Sequence, residues 1–190
     1  MKFWVHKQLA RSHFHDKNIL HTHQFDLVDW ASIHTALRRV PRMFLLWACK
    51  QVMDIAPANG NRPWEQDLCP LCPSCAQVPE TCSHILSCNH TGRVEVLMAS
   101  ITLLASWLTE VGTKPDLQEC IVEYARGRGS LSMTEICFTL DHRYQRMARD
   151  QDTVGWRRFI EGMICTRMRM IQAEYAATDG SRVSPDQWAA

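Results

Sequence analysis

Hydrophobic residues recur with a helical period along most of this chain. The strongest example runs from 91 to 111, where apolar side chains fall at spacings of three, four and seven residues: Val94, Leu97, Met98, Ile101, Leu104, Ala105 and Leu108. Gly112 follows directly and suits the position after a helix C-terminus. No pair of segments shows the alternation expected of paired strands, so the pattern predicts an all-α fold.

Shorter helices are expected on both sides of this segment. Asp29 suits the N-cap of a helical region that Pro41 divides into helices at about 29–39 and 42–55. A loop rich in Pro, Asn and Gly follows at 54–67, and we expect Trp64 to pack it onto the next segment. Further helices are predicted at 116–125, started by Pro115, and at 140–150. A long last helix is expected to begin at Asp152 or Thr153 and end near residue 177.

The segment 68–90 interrupts this helical pattern with five cysteines and two histidines in LCPLCPSCAQVPETCSHILSCNH. The best-spaced set reads C-x2-C-x8-H-x3-C and consists of Cys72, Cys75, His84 and Cys88. The first pair suits a tight turn. A short helix capped by Glu80 or Thr81 would present the second pair one turn apart. Four such ligands can enclose a tetrahedral Zn²⁺, so the segment is predicted to be a zinc knuckle inserted in a helical domain.

Other ligands in the same segment leave the assignment open: Cys69, Cys82 and His90. Cys69 forms a second, overlapping C-x2-C with Cys72 that leaves eleven residues before His84, against eight for the first set. The shorter loop costs only a few tenths of a kcal/mol less entropy. Cys82 lies two residues before His84 and therefore points to another helix face. A set of buried or reactive thiols without metal is the alternative.

The same segment resembles the zinc-binding region at the C-terminal end of non-LTR retroelement reverse transcriptases. The resemblance rests on the C-x2-C pair, the Glu-Thr dipeptide and the His-x3-Cys of ETCSHILSC. It extends more weakly over about 26–175, through the segments VDWASIHTALRRVPRMFLLWACKQ and DTVGWRRFIEGMICTRMRMIQAEY. It implies a zinc site that begins with Cys72 and Cys75, and a role beside a polymerase polypeptide. The additional Cys69 departs from the family pattern.

Charge is distributed unevenly although the net charge is only +1. Residues 1–50 carry eight Lys/Arg against three Asp/Glu, residues 51–141 five against eleven, and residues 142–190 eight against six. Basic ends around an acidic centre indicate an anionic partner, RNA or DNA, for the ends. A solvated surface is the alternative explanation for the same charges.

Composition also indicates the cellular compartment of the protein. An odd cysteine count and a first segment without a secretory signal predict an intracellular protein, cytoplasmic or nuclear. The longest apolar stretch, 94–108, is too short to span a bilayer, so no membrane partner is expected.

Five segments are predicted along the chain. They are a basic, His-rich N-terminal arm (1–28), a helical segment and loop (29–67), the zinc knuckle (68–90), a helical domain (91–178) and a flexible tail (179–190). The arm holds five histidines but no thiolates or carboxylates that cluster with them, so no second metal site is expected there.

Seven arginines in two predicted helices are candidates for contact with phosphates: Arg143, Arg146, Arg149, Arg157, Arg158, Arg167 and Arg169. The alternative is a solvated helix face, partly paired with Asp150, Asp152 and Glu161.

No catalytic signature accompanies these features. The chain lacks adjacent aspartates, phosphate-binding Gly-rich loops, the G-x-S-x-G and H-E-x-x-H motifs, and the H-x-E of zinc deaminases. Four cysteines outside the knuckle are expected to be small buried hydrophobes: Cys49, Cys120, Cys137 and Cys165. The sequence therefore predicts a non-catalytic, zinc-stabilised module that binds nucleic acid. The alternative is a structural or protein-interaction module without nucleic-acid binding, including a degenerate retroelement fragment.

Overall fold

A computed structural model describes residues 2–65, 67–179 and 188, and confirms the mostly helical fold. Within this part of the chain there is no β-strand, only two isolated bridges. The described helices are α1 (Lys2–Asp16), α2 (Thr22–Leu27), α3 (Trp30–Leu37), α4 (Arg42–Val52), α5 (Cys82–Ser87), α6 (Thr91–Glu110), α7 (Pro115–Gly127), α8 (Met133–Ile136), α9 (His142–Val154), α10 (Trp156–Ile160) and α11 (Thr166–Asp179), with a 3-10 turn at Asn59–Asn61.

The main hydrophobic core lies between α6, α7, α9 and α11. Leu117, Met147 and Met168 are fully buried in it, and α8 and α10 close its sides. As predicted, Gly112 follows α6 with a positive φ of 69°, and Pro115 opens α7. The buried Gln172 of α11 holds this turn, since its amide donates to the Gly112 carbonyl (3.0 Å) and accepts from the Lys114 N–H (2.9 Å).

The N-terminal segment is not the arm expected from the sequence. It forms α1 and α2, and its residues Leu20, Phe25 and Val28 are buried in a second, smaller core together with Val154 and Met163. The apolar residues of 19–28 are too sparse to signal a helix by period, but they are enough to fill this contact. His13, His15, His21 and His23 point outwards and are exposed, so these four act as surface residues.

The predicted single last helix is wrong, because the chain breaks twice between 154 and 166. Gly155 (φ 94°) ends α9 and Gly162 (φ 89°) follows α10, both in backbone conformations that favour glycine. Buried Gln151 spans the second break by accepting from the Cys165 N–H (2.8 Å) and donating to the Met163 carbonyl (3.3 Å). The break lets α11 return into the main core.

Asp152 was expected to begin that last helix, yet it caps α8 instead. Its carboxylate accepts from the N–H groups of Met133 (2.6 Å) and Thr134 (2.9 Å) and from the Thr134 hydroxyl (2.5 Å). These bonds satisfy donors that have no partner within the helix and tie α8 to α9.

The predicted flexible tail falls almost entirely outside the described residues. Two residues of that segment are described: Asp179, which ends α11, and Trp188. Trp188 is buried in the main core, and its indole N–H donates to the Thr113 hydroxyl at 2.7 Å. At this position the chain is therefore anchored.

None of the helices in the described part of the chain has the length and hydropathy needed to cross a lipid bilayer.

The Asp152 cap gives a stability test of the α8–α9 contact. Asp152→Ala should lower the free energy of unfolding by about 1–2 kcal/mol, because it removes the acceptor of two helix N-terminal N–H groups. Urea unfolding followed by circular dichroism measures the change. Asp152→Asn should retain part of the cap, and Glu95→Ala on the exposed face of α6 should change stability by less than about 0.5 kcal/mol. Equal effects of Asp152→Ala and Glu95→Ala would contradict the assigned role.

Candidate metal centre

A short hairpin carries the first two cysteines of the knuckle. Leu71 and Pro79 form an isolated antiparallel bridge, and the Cys72 N–H donates to the Val78 carbonyl at 2.8 Å. The turn closes when the Ala76 N–H donates to the Cys72 carbonyl (2.8 Å), with Ala76 at φ 53°. This geometry leaves the thiols of Cys72 and Cys75 on the same side of the turn.

Helix α5 carries the other two ligands. Thr81 caps it by accepting from the His84 N–H at 3.1 Å, which decides between the two caps considered from the sequence. Cys88 is the C-cap residue, one turn after His84, where the backbone leaves the helix with ψ 124°. The i, i+4 spacing therefore aims both side chains at the hairpin.

The side chains of the four predicted ligands converge in the structure. Their ligand atoms all lie within 4.8 Å of one another. The Cys72 and Cys88 Sγ atoms are 3.9 Å apart, and the Cys75 Sγ lies 3.4 Å from the His84 Nε2. Cys72 and Cys88 are buried and the other two are half-buried. The group is a Cys3His cage of the size and chemistry that hold a metal ion.

The surroundings of Cys72 favour its thiolate. Burial raises the pKa of this thiol, but the N–H groups of Cys75 and Ser74 and the His84 ring together lower that pKa to about 6. Cys88 receives a backbone hydrogen bond from His90 that lowers its pKa, yet burial and the neighbouring Cys72 thiol raise it overall. A thiol with a lowered pKa therefore lies beside a second, buried thiol. A cation would stabilise this arrangement.

The alternative ligands do not reach this cage. Cys69 is exposed, and His90 is an exposed residue that forms the N-cap of α6. Cys82 is buried on the opposite side of α5, where its Sγ accepts from the Asn61 amide at 3.4 Å and burial raises its pKa. Its carbonyl accepts from Gln51 of α4 at 2.9 Å, so Cys82 joins the knuckle to the helices.

Two arginines from the helical domain hold the knuckle, and no sequence pattern indicates either contact. Arg93 of α6 donates to Ser74 (2.8 Å) and to the buried Glu80 (3.1 Å). Arg128, in a left-handed conformation after α7, donates to the carbonyl of Cys88 at 2.9 Å. Both lie outside the Cys/His segment, and only the folded chain brings them to it.

The loop before the knuckle contacts it through backbone atoms. The Gly60 N–H donates to the Glu80 carbonyl at 2.9 Å, and the Glu80 carboxylate accepts from the Asn59 N–H at 3.1 Å. A Cβ at Gly60 would lie only 2.9 Å from the same carbonyl oxygen. The prediction that Trp64 performs this packing is wrong, because its side chain is 70% exposed.

Most of the seven candidate arginines are held by carboxylates. Arg158 pairs with Glu161 at 2.6 Å and also donates to the carbonyl of Ile19. Four others are likewise paired: Arg143 with Asp141 and Glu174, Arg157 with Asp54 and Glu161, Arg167 with Asp150, and Arg169 with Asp29. Arg146 and Arg149 are exposed on α9, and no carboxylate among the described residues lies within ion-pair distance of either.

The cysteines outside the knuckle largely match their expected role. Cys120, Cys137 and Cys165 are buried, whereas Cys49 is exposed on α4.

Comparison with known protein families, characterised proteins and solved structures gives no match for this chain.

The Gly60 contact provides a test of how the loop supports the knuckle. Gly60→Ala should lower the free energy of unfolding of the metal-loaded protein by about 1–3 kcal/mol, because the new methyl group meets a backbone carbonyl that cannot rotate away. Gly92→Ala is the matched control, since a Cβ there comes no closer than 3.6 Å to a side-chain atom. Gly92→Ala, which lies in α6, should leave the free energy of unfolding unchanged or raise it slightly. Chemical denaturation measures both, and equal losses would contradict the contact.

The ligand set predicts which variants lose zinc. The protein should bind one Zn²⁺ per chain, and Cys75→Ser, His84→Ala and Cys88→Ser should each lose most of the affinity, because each removes one of the four atoms of the cage. Cys69→Ser and Cys82→Ser are matched controls that should retain it. Competition with a chromogenic chelator gives the affinity. Loss in Cys69→Ser with retention in Cys75→Ser would show that the other C-x2-C pair binds the metal.

Proposed function

We propose that this chain is a non-catalytic, zinc-stabilised module that binds nucleic acid. The observation that carries the metal part is the Cys3His cage, whose four ligand atoms lie within 4.8 Å of one another. The resemblance of the knuckle to the zinc-binding region of non-LTR reverse transcriptases agrees with this proposal and suggests a polymerase polypeptide as neighbour.

The dimensions of the cage support zinc. Tetrahedral Zn²⁺ with Zn–S bonds of about 2.3 Å places two sulfurs roughly 3.8 Å apart, close to the 3.9 Å between Cys72 and Cys88. A sulfur and an imidazole nitrogen would be roughly 3.6 Å apart, against 3.4 Å for Cys75 and His84. Four protein ligands complete a tetrahedron and leave no position for a reacting water. This geometry supports a structural role for the metal.

The proposed binding to nucleic acid rests on the excess of positive charge in the first 50 residues, eight Lys/Arg against three Asp/Glu. The arginines of α9, α10 and α11 give less support than their number suggested, because five of the seven are paired with carboxylates. Of that set, Arg146 and Arg149 are exposed, and no carboxylate among the described residues pairs with them. Nine cysteines without a disulfide agree with an intracellular location, which we also propose.

A protein-interaction module is the second candidate. It is favoured by apolar side chains on α6 that remain exposed, namely Val96, Leu103 and Trp107. An apolar protein contact would depend weakly on salt, whereas binding to phosphates releases counterions and weakens steeply with salt.

Salt dependence tests the proposed function. The zinc-loaded protein should bind labelled single-stranded RNA and DNA with little sequence preference. Its affinity should fall by about tenfold or more between about 50 and 200 mM salt, because phosphate contacts release counterions. Fluorescence anisotropy over a salt series measures this. A neutral dextran of similar mass is the control for non-ionic crowding. Absence of binding at low salt, or an affinity that does not change with salt, would contradict the proposal.

A further inference from the structure

We infer that single-stranded nucleic acid binds on α4 and the turn before it, a surface we call the α4 face. It consists of four cations and four large apolar side chains: Arg38, Arg39, Arg42 and Lys50 with Met43, Phe44, Leu46 and Trp47. This inference rests on the proposed nucleic-acid function and locates it at a surface distinct from the α9–α11 arginines.

The charges of the α4 face are unopposed. Between Asp29 and Asp54 the chain contains no acidic residue. Arg38, Arg39, Arg42 and Lys50 are exposed, and no carboxylate among the described residues lies within 4.0 Å of them. They differ in this respect from the paired arginines of α10 and α11. An anionic ligand would meet cations that need not first leave another partner.

The apolar side chains lie among these cations rather than apart from them. Arg42, Leu46 and Lys50 follow one another at i, i+4 and i+8 and form one row along α4. Met43 and Trp47 form the adjacent row at the same spacing. The Phe44 and Trp47 rings have centroids 5.6 Å apart and are each about half exposed, at 50% and 51%. The rings therefore present free faces within one helical turn of the charges.

A groove beside the two rings adds a place for a flat ligand. It has a volume of about 290 Å³ and is lined mainly by apolar side chains of α3 and α4, with Leu86 of α5 and Ile160 of α10. Its acidic lining residue, Glu161, is neutralised by Arg157 and Arg158. A base that stacks on Trp47 could extend into this groove without meeting an unpaired negative charge.

Interleaved rings and cations favour a single strand over a lipid surface. A helix that lies on a membrane separates an apolar face from a charged one, whereas here Leu46 stands between Arg42 and Lys50. A single strand alternates phosphates with unpaired bases over a few ångströms, and bases stack on aromatic side chains without sequence preference. In a duplex the faces of the bases are covered by neighbouring base pairs, so a duplex should bind the α4 face more weakly.

The groove also connects this face to the metal centre. Leu86 lies in α5, between His84 and Cys88, and Gln51 of α4 donates to the Cys82 carbonyl at 2.9 Å. The knuckle therefore holds one wall of the groove against α4.

The test compares two charge-removing variants of the zinc-loaded protein, with an oligothymidylate of about 20 nucleotides as probe. Arg39→Gln/Arg42→Gln/Lys50→Gln should lower the affinity and reduce the slope of log Kd against log salt by about 2, since each phosphate contact on a single strand contributes about 0.7. Trp47→Ala should weaken binding about tenfold or more through lost stacking, and Trp47→Phe should recover part of it. Arg146→Gln/Arg149→Gln is the matched control and should leave the slope nearly unchanged.

The outcomes separate this inference from the proposed function. If the parent binds with a salt-dependent affinity but only the Arg146/Arg149 variant weakens it, the function stands and the location is wrong. If the parent binds no nucleic acid at low salt, the function itself fails and the inference fails with it. If the α4 variants abolish binding to vesicles containing about one-third anionic lipid while the oligonucleotide does not bind, the face is a lipid surface. Circular dichroism and zinc content must match the parent in every variant, which excludes loss of fold as the cause.

Discussion

The arrangement of the knuckle depends on the mutual approach of three thiols and one imidazole. Cys72 and Cys88 bring two buried sulfurs to 3.9 Å, a separation at which two thiolates would repel strongly in a site of low dielectric. A positive charge placed among the four ligands would offset this repulsion. Because a bound divalent cation supplies that charge, metal affinity and the folding of residues 71–88 are expected to be one thermodynamic event. The helical cores rest on apolar packing and do not share that dependence.

The contacts around the cage explain how a small metal centre can position larger elements. Glu80, directly before the cap of α5, meets Arg93 from α6 on one side and the 3-10 turn on the other. Arg128 reaches the Cys88 carbonyl from the end of α7. The bonds made by the Glu80, Arg93 and Arg128 side chains are charge-assisted and partly shielded from water, so they are stronger than surface ion pairs. The knuckle is therefore linked to α6 and to the end of α7, two of the helices that enclose the main core.

Sequence patterns predicted the features that depend on local spacing. The i, i+4 relation of His84 and Cys88, the Asp29 cap of α3 and the boundary at Gly112 and Pro115 each involve neighbours in the chain. Contacts between distant residues could not be obtained in this way. Arg93 and Arg128 look like ordinary surface residues in the sequence, and the burial of Phe25 and Trp188 depends on partners from other helices. The break at Gly162 was missed because the apolar period continues across it, although the glycine itself was the available signal.

The distribution of ion pairs determines which positive charges are available to bind an anionic ligand. An arginine that already contacts a carboxylate must lose that contact before it meets a phosphate, so much of the electrostatic gain is cancelled. Arg158 and Arg169 also face buried or nearly buried carboxylates, Glu161 and Asp29, and each of these carboxylates would lose an ion pair if its arginine turned outwards. Counting basic residues along a helix therefore overstates its attraction for nucleic acid. The cations of the α4 face are fewer, but no carboxylate among the described residues pairs with them, and they stand beside exposed rings, which makes that face the stronger candidate for contact with an anionic, aromatic ligand.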